Sequence, residues 1–108
     1  SYYQAQEQAY AKINMIDQIL ADSYLASATA DEYFLQVKTK ISSYGTYTIE
    51  EGENILSFTE TIAEDQFLSV KLRIAYPQSA SDTFLEIIEW KSVYIREIPE
   101  DTFMNLIQ

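Results

Sequence analysis

With 108 residues the chain has the length of one domain, and 17 acidic against seven basic residues give it a formal charge of −10 at pH 7. This charge repels phosphate backbones and anionic lipid surfaces, which argues against direct binding to nucleic acid. The sequence has neither Cys nor His, which excludes disulfides, thiolate zinc sites and the usual general base of hydrolases. We therefore expect one domain over residues 1–108 that is not an enzyme and needs neither a cofactor nor a small-molecule substrate.

Residues 1–26 contain no Gly or Pro and are predicted to form a long helix, with no cap at its beginning. Apolar residues recur along it at helical spacing and form one stripe that is predicted to pack on a sheet. This helix-to-sheet core consists of Ala9, Ile13, Ile16 and Leu20. Three tyrosines near the helix start, where we expect no domain core to reach, are candidates for an exposed protein interface. They are Tyr2, Tyr3 and Tyr10.

A second, shorter helix is predicted over residues 30–43. Thr29 followed by Glu32 has the spacing of a capping box, which marks the beginning of a helix. Phe34, Val37 and Ile41 form its apolar face, and Gly45 is expected to stop it.

From residue 46 to residue 97 the apolar period changes to two, which predicts an antiparallel sheet. A turn around Gly52 separates the first two strands, and the third alternates most regularly. The predicted sheet core consists of Leu68, Val70, Leu72, Ile74 and, from the fourth strand, Trp90. The alternation of the fourth strand slips near Glu89, which predicts a β-bulge or apolar contacts on both faces. Residues 98–108 form a C-terminal tail, expected to pack on the sheet or to meet a partner.

Two carboxylates interrupt the apolar faces of the predicted strands. Glu60 and Glu89 could act as general bases if burial raised their pKa values. The favoured interpretation is a surface position or an ion pair with Lys71, Arg73 or Lys91.

A third acidic feature is the turn around Gly52, where Glu50, Glu51 and Glu53 stand close together in the sequence. Several carboxylates on a tight turn suit a calcium ion. The spacing is not that of an EF-hand loop, so an acidic hairpin turn is the favoured interpretation.

The end of the sequence resembles that of small minor pilins and pseudopilins. FLSVKLRIAYP, a polar loop and DTFLEIIEWKSVYI match their pattern of hydrophobic alternation, Tyr-Pro, a short loop and a final strand. The whole order of helix, connecting region and sheet resembles the soluble part of a type IV pilin. This resemblance implies an α+β fold in which a long N-terminal helix and a short second helix pack on a four-stranded antiparallel sheet.

The resemblance also implies a function. The chain would be a minor subunit of a type IV pilus, a competence pilus or a type II secretion-like filament, and its partners would be other pilin or pseudopilin subunits. It would lie outside the cytoplasm or at the cell surface, anchored before assembly by an upstream segment of about 20 apolar residues. That segment, and with it the family's cleavage-site Gly and early Glu, has no counterpart in this sequence, and the C-terminal disulfide of many pilins is also missing.

A helix on a curved antiparallel sheet also resembles two other kinds of extracytoplasmic binding domain. Cystatin-like domains bind proteins, and nuclear-transport-factor-like domains enclose a small ligand in an apolar pocket. A pocket of this kind requires the inner face of the last strand to be uncovered. An enzyme that uses Glu60 or Glu89 as a base inside such a pocket is the third interpretation.

Overall fold

The structure, a computed structural model, describes residues 1–79 and 81–97. It confirms the predicted α+β fold, in which two helices pack on a four-stranded antiparallel sheet with the strand order of the chain, 1-2-3-4. The elements are α1 (Tyr2–Ala26), α2 (Ala30–Ile41), β1 (Thr46–Glu50), β2 (Glu53–Ala63), β3 (Gln66–Ile74) and β4 (Leu85–Tyr94), with short 3-10 helices at Ser42–Tyr44 and Ile95–Glu97. The predicted tail, residues 98–108, lies outside the described residues.

Helix α1 begins with a capping box, so the prediction of an uncapped start is wrong. The hydroxyl of Ser1 accepts a hydrogen bond from the backbone N–H of Gln4 at 3.4 Å. In return the side-chain oxygen of Gln4 accepts one from the amino group of Ser1, also at 3.4 Å. The pair satisfies donors that the first turn of a helix otherwise leaves open.

Thr29 caps α2 as its sequence pattern predicts. The Thr29 hydroxyl accepts a hydrogen bond from the N–H of Glu32 at 3.2 Å. The Glu32 carboxylate accepts one at 2.8 Å from the N–H of Ala28, one residue before the cap. Helix α2 ends at Ile41, two residues earlier than predicted, because the chain tightens there into the 3-10 helix.

The core lies between the two helices and one face of the sheet. Helix α1 lies over β2 and β3. The structure places the whole predicted helix stripe in this core, namely Ala9, Ile13, Ile16 and Leu20. Strand β3 contributes alternate residues to it, namely Leu68, Val70, Leu72 and Ile74. Burial of each large aliphatic side chain stabilises the fold by about 1.5–3 kcal/mol, which is enough to dock α1 on the sheet.

Strand β4 contains the bulge predicted near Glu89. Lys71 of β3 pairs with Glu89, and the next residue of β3, Leu72, pairs with Ile87. Ile88 is therefore the extra residue. Because of it, the side chain that faces inward opposite Leu72 is that of Ile87 and not that of Ile88.

Gly45 is the C-cap of the 3-10 helix, so the helical segment ends there as predicted, but its backbone conformation is not that of a usual glycine stop. Its backbone is extended, with φ at 174°, so no left-handed conformation requires a glycine here. A Cβ atom at this position would instead overlap the carbonyl oxygen of Ser57 and lie 3.1 Å from the Cβ of Phe58. The close approach of the chain to β2 is what requires the glycine.

We predict that Gly45→Ala lowers the free energy of unfolding by about 1–3 kcal/mol, since the backbone of β2 must shift to admit the methyl group. Gly52→Ala is the matched control, because a Cβ there meets open space and only the positive φ of 80° opposes it. That strain costs about 1 kcal/mol. Denaturant unfolding of both variants measures the difference, and a larger loss for Gly52→Ala would contradict the close approach at Gly45.

Candidate interaction surface

One helix cannot cover a four-stranded sheet. A helix with its side chains is about 10–12 Å wide, whereas strands lie about 4.8 Å apart, so α1 covers about two of them. Because α1 lies over β2 and β3, the inner face of β4 is left partly uncovered. Ile87, which faces inward opposite Leu72, is 40% exposed.

The side chain of Trp90 is held by two tyrosines of α1. Its indole Nε1 donates a hydrogen bond to the hydroxyl of Tyr2 at 3.1 Å. Its ring stacks on that of Tyr10, with centroids 4.8 Å apart and the planes inclined by 28°. Trp90 faces inward opposite Val70, as predicted, but it is half-buried rather than enclosed in the core, because aromatic rings and not the aliphatic stripe cover it.

The three predicted interface tyrosines are exposed, Tyr2 by 43%, Tyr3 by 69% and Tyr10 by 47%. The expectation that no domain core reaches this part of α1 is wrong, since Tyr2 and Tyr10 contact the sheet through Trp90 and Ala5 is buried. We call the surface that these residues form with β4 the α1–β4 surface. It consists of Tyr2, Tyr3, Tyr10, Asp17, Ile87 and Trp90.

Asp17 belongs to this surface by its position on the helix. Residues seven apart lie two turns apart on nearly the same line of a helix. Tyr10 contacts Trp90, and Tyr24 contacts Phe84, which directly precedes β4, at 5.6 Å between ring centroids. The exposed Asp17 is midway between these two tyrosines and therefore faces the same side of α1.

The charge along α1 is negative. The helix carries Glu7, Asp17 and Asp22 but a single basic residue, Lys12. The ammonium group of Lys12 lies 2.9 Å from the carboxylate of Glu60 on β2, so its charge is already compensated inside the domain. The helix is therefore anionic beside an aromatic surface.

The predicted ion pair with Lys71, Arg73 or Lys91 is found for Glu89 but not for Glu60. Glu60 faces inward on β2 and pairs with Lys12 of α1, not with a basic residue of a neighbouring strand, so that prediction is wrong for Glu60. Glu89 faces the outer side of the sheet, where it accepts a hydrogen bond from Ser69 at 2.7 Å and lies 3.6 Å from the ammonium group of Lys91. Both carboxylates are thus engaged by neighbouring groups.

Five of the other aromatic side chains form a cluster at one end of the core. Their ring centroids lie 5.1–6.5 Å apart, at angles typical of buried aromatic pairs. The cluster consists of Tyr24, Tyr33, Phe34, Tyr76 and Phe84.

Two phenols, the buried Tyr33 and the half-buried Tyr47, have raised pKa values. The hydroxyl of Tyr47 donates to the side-chain oxygen of Asn54 at 2.8 Å, and burial raises the pKa of Tyr47 to about 12. The hydroxyl of Tyr33 donates to the carbonyl of Ala75 at 2.8 Å. Burial raises the pKa of Tyr33 well above its ordinary value, and Tyr47 and Asp17 add to the shift because a second negative charge nearby is unfavourable.

Comparisons with known proteins do not assign the chain to a family: no family model, curated protein or solved structure matches it. The helix packed on a four-stranded antiparallel sheet is compatible with a pilin-like fold. Within residues 1–79 and 81–97, no helix is both long and apolar enough to cross a membrane. Within the same ranges, no three acidic side chains are grouped as a metal site, and this includes the turn around Gly52.

We predict that Tyr10→Ala exposes the ring of Trp90, the only tryptophan of the chain. Its fluorescence should shift to longer wavelength and become more sensitive to acrylamide, and the lost ring pair should lower the free energy of unfolding by about 0.5–1.5 kcal/mol. Tyr3→Ala is the control on the same helix, because the structure gives Tyr3 no ring contact with Trp90. Unchanged emission in Tyr10→Ala would contradict the stacked pair.

We also predict that alkali destabilises the fold through the phenols of Tyr33 and Tyr47. A raised pKa means that the folded state holds the proton more tightly, so this contribution is complete below pH 10 and is lost as the pH rises towards 12. Replacing Tyr47 by Phe removes one such group, and the free energy of unfolding should then fall less steeply in this window. Urea unfolding at several pH values compares the two slopes, and equal slopes would contradict the raised pKa of Tyr47.

Proposed function

We propose that the chain is the soluble domain of a minor pilin or pseudopilin, a subunit of a type IV pilus, competence pilus or type II secretion-like filament. It acts by docking with neighbouring subunits, not by turnover. The observation that carries the proposal is the α1–β4 surface, where exposed tyrosines line one side of a long N-terminal helix beside an edge strand. The helix on a four-stranded meander supports it, since that is the architecture that the sequence resemblance implies.

The position of this surface suits a filament. In pilins, the apolar segment that anchors the subunit and later packs inside the filament joins the beginning of this helix. Tyr2 and Tyr3 are the first residues of α1, so a neighbour packed around such a segment would meet them first. On this proposal the protein lies outside the cytoplasm or at the cell surface, and it meets the membrane only through that upstream segment.

The mature N-terminus of the native protein tests this proposal. We would isolate the protein with membranes from its source and determine its mass and its N-terminal sequence. An N-methylated residue followed by about 20 apolar residues that run into Tyr2 and Tyr3 is the expected result. A mature chain that starts near Ser1, after a cleaved secretory signal or an initiator Met, would exclude the pilin assignment.

Substitutions at two equally exposed residues test the docking role. Tyr3 and Leu35 are each 69% exposed, but Tyr3 belongs to the α1–β4 surface and Leu35 to α2. We expect Tyr3→Glu in the full-length gene to reduce filament number severalfold, because a charge at the centre of a protein interface is unfavourable. Leu35→Glu should have no effect. Filaments counted by electron microscopy at equal protein levels give the answer, and the reverse pattern would place the interface on α2.

A binding domain for a small ligand is the second candidate. It is favoured by the exposure of Ile87, since a pocket requires an uncovered inner face on the last strand. A dye that brightens in apolar cavities should then bind with one-to-one stoichiometry, and Ile87→Glu should abolish the signal. Absence of saturable dye binding would remove this candidate.

A further inference from the structure

We propose that the α1–β4 surface binds a basic, partly apolar segment of a partner protein. An Arg or Lys side chain of the partner lies on the Tyr10–Trp90 pair, and positive charge of the same segment faces Asp17. This inference deepens the proposed function and rests on it only in that the chain acts by docking. It names the chemistry of the partner.

The domain itself pairs cations with aromatic rings in this way. Lys12 lies over the ring of Phe58, 4.5 Å from its centroid, while its ammonium group pairs with Glu60. Arg96 lies over the ring of Tyr94 at 4.7 Å and within 3.8 Å of a carboxylate in the β2–β3 turn. In both places an aromatic face and a carboxylate together hold one cation.

The α1–β4 surface has the same two components without a cation of its own. Among the described residues, no cation–aromatic contact involves Tyr10 or Trp90, and no ion pair includes Asp17. The rings are already fixed by their stack and by the hydrogen bond to Tyr2, so binding need not order them. Two basic side chains from outside, one on the rings and one at Asp17, would complete the arrangement.

The spacing limits the shape of the ligand. Asp17 lies seven residues from Tyr10, or about 10 Å along the helix axis. A segment with two basic residues can place one on the aromatic pair and the other at Asp17. Ile87, 40% exposed on the floor of the surface, offers a contact for an apolar residue of the same segment.

The overall charge selects such a partner over a second copy of this chain. At −10, two copies repel each other, whereas a basic segment is attracted from a distance at low ionic strength. The negative charges of α1 strengthen this preference, because Lys12 is already paired with Glu60.

The test uses synthetic peptides and the fluorescence of Trp90, which is the only tryptophan of the chain. The first peptide alternates arginine with leucine, and the second carries glutamate in place of each arginine. We expect a saturable change in Trp90 emission with the arginine peptide only, and weaker binding as salt is added. Equal binding of the glutamate peptide would overturn the proposal, since the surface would then be apolar and not selective for cations.

Matched substitutions locate the site. Asp17→Asn should weaken binding of the arginine peptide about threefold. Asp22→Asn makes the same charge change on the same helix but is rotated from Asp17 by about 140°, and it should leave the affinity unchanged. Equal losses in both variants would mean diffuse charge attraction without a site.

Two substitutions of Tyr10 separate loss of the aromatic ring from loss of the fold. Tyr10→Phe retains a stacking ring, whereas Tyr10→Ala removes it and should weaken binding of the arginine peptide about tenfold. Calorimetry measures the affinity of both variants if the substitutions alter the Trp90 emission.

If no peptide binds and sedimentation shows dimers that Tyr3→Glu dissociates, the occupant is a second copy and the proposal fails. The mature N-terminus decides the pilin assignment separately, so failure of one is distinguishable from failure of the other.

Discussion

The width of helix α1 relative to the sheet is the constraint on which the rest of the structure depends. Its aliphatic stripe covers β2 and β3. The inner face of β4 is then covered only by side chains from the flank of the helix. Trp90 is for this reason half-buried, and the two tyrosines that shield it are themselves exposed. A complete aliphatic cover over β4 would have left no exposed aromatic surface there.

Two kinds of contact fix the helix on the sheet, and their magnitudes differ. Each large aliphatic residue of the stripe contributes about 1.5–3 kcal/mol, so the stripe supplies most of the stability of docking. The Lys12–Glu60 pair is partly open to water and contributes about 1 kcal/mol or less. It lies on one flank of α1, and the Tyr10–Trp90 stack lies on the other. We infer that these flanking contacts mainly set the rotation of the helix, which directs Tyr3, Tyr10 and Asp17 towards β4.

The fold was predictable from local patterns, whereas the surface was predictable only in part. Strict alternation in β3 and the helical spacing from Ala9 to Leu20 indicated which residues face the core, and Thr29 marked the beginning of α2. The cap formed by Ser1 and Gln4 also has a recognisable spacing in the sequence, a Ser followed three residues later by a Gln. The partner of Glu60 and the exposure of Trp90 depend on where α1 crosses the sheet. That position follows from packing between residues far apart in sequence, and no local pattern contains it.

Thiol labelling at Ile87 tests the central claim most directly, since the chain has no cysteine of its own. The labelling rate of Ile87→Cys would be measured in the isolated protein and in the native assembly, beside Leu35→Cys as an exposed reference and Leu72→Cys as a buried one. The account predicts rapid labelling at position 87 in isolation and protection in the assembly, with position 35 reactive in both. Slow labelling at position 87 in the isolated protein, or protection of position 35 instead, would contradict it.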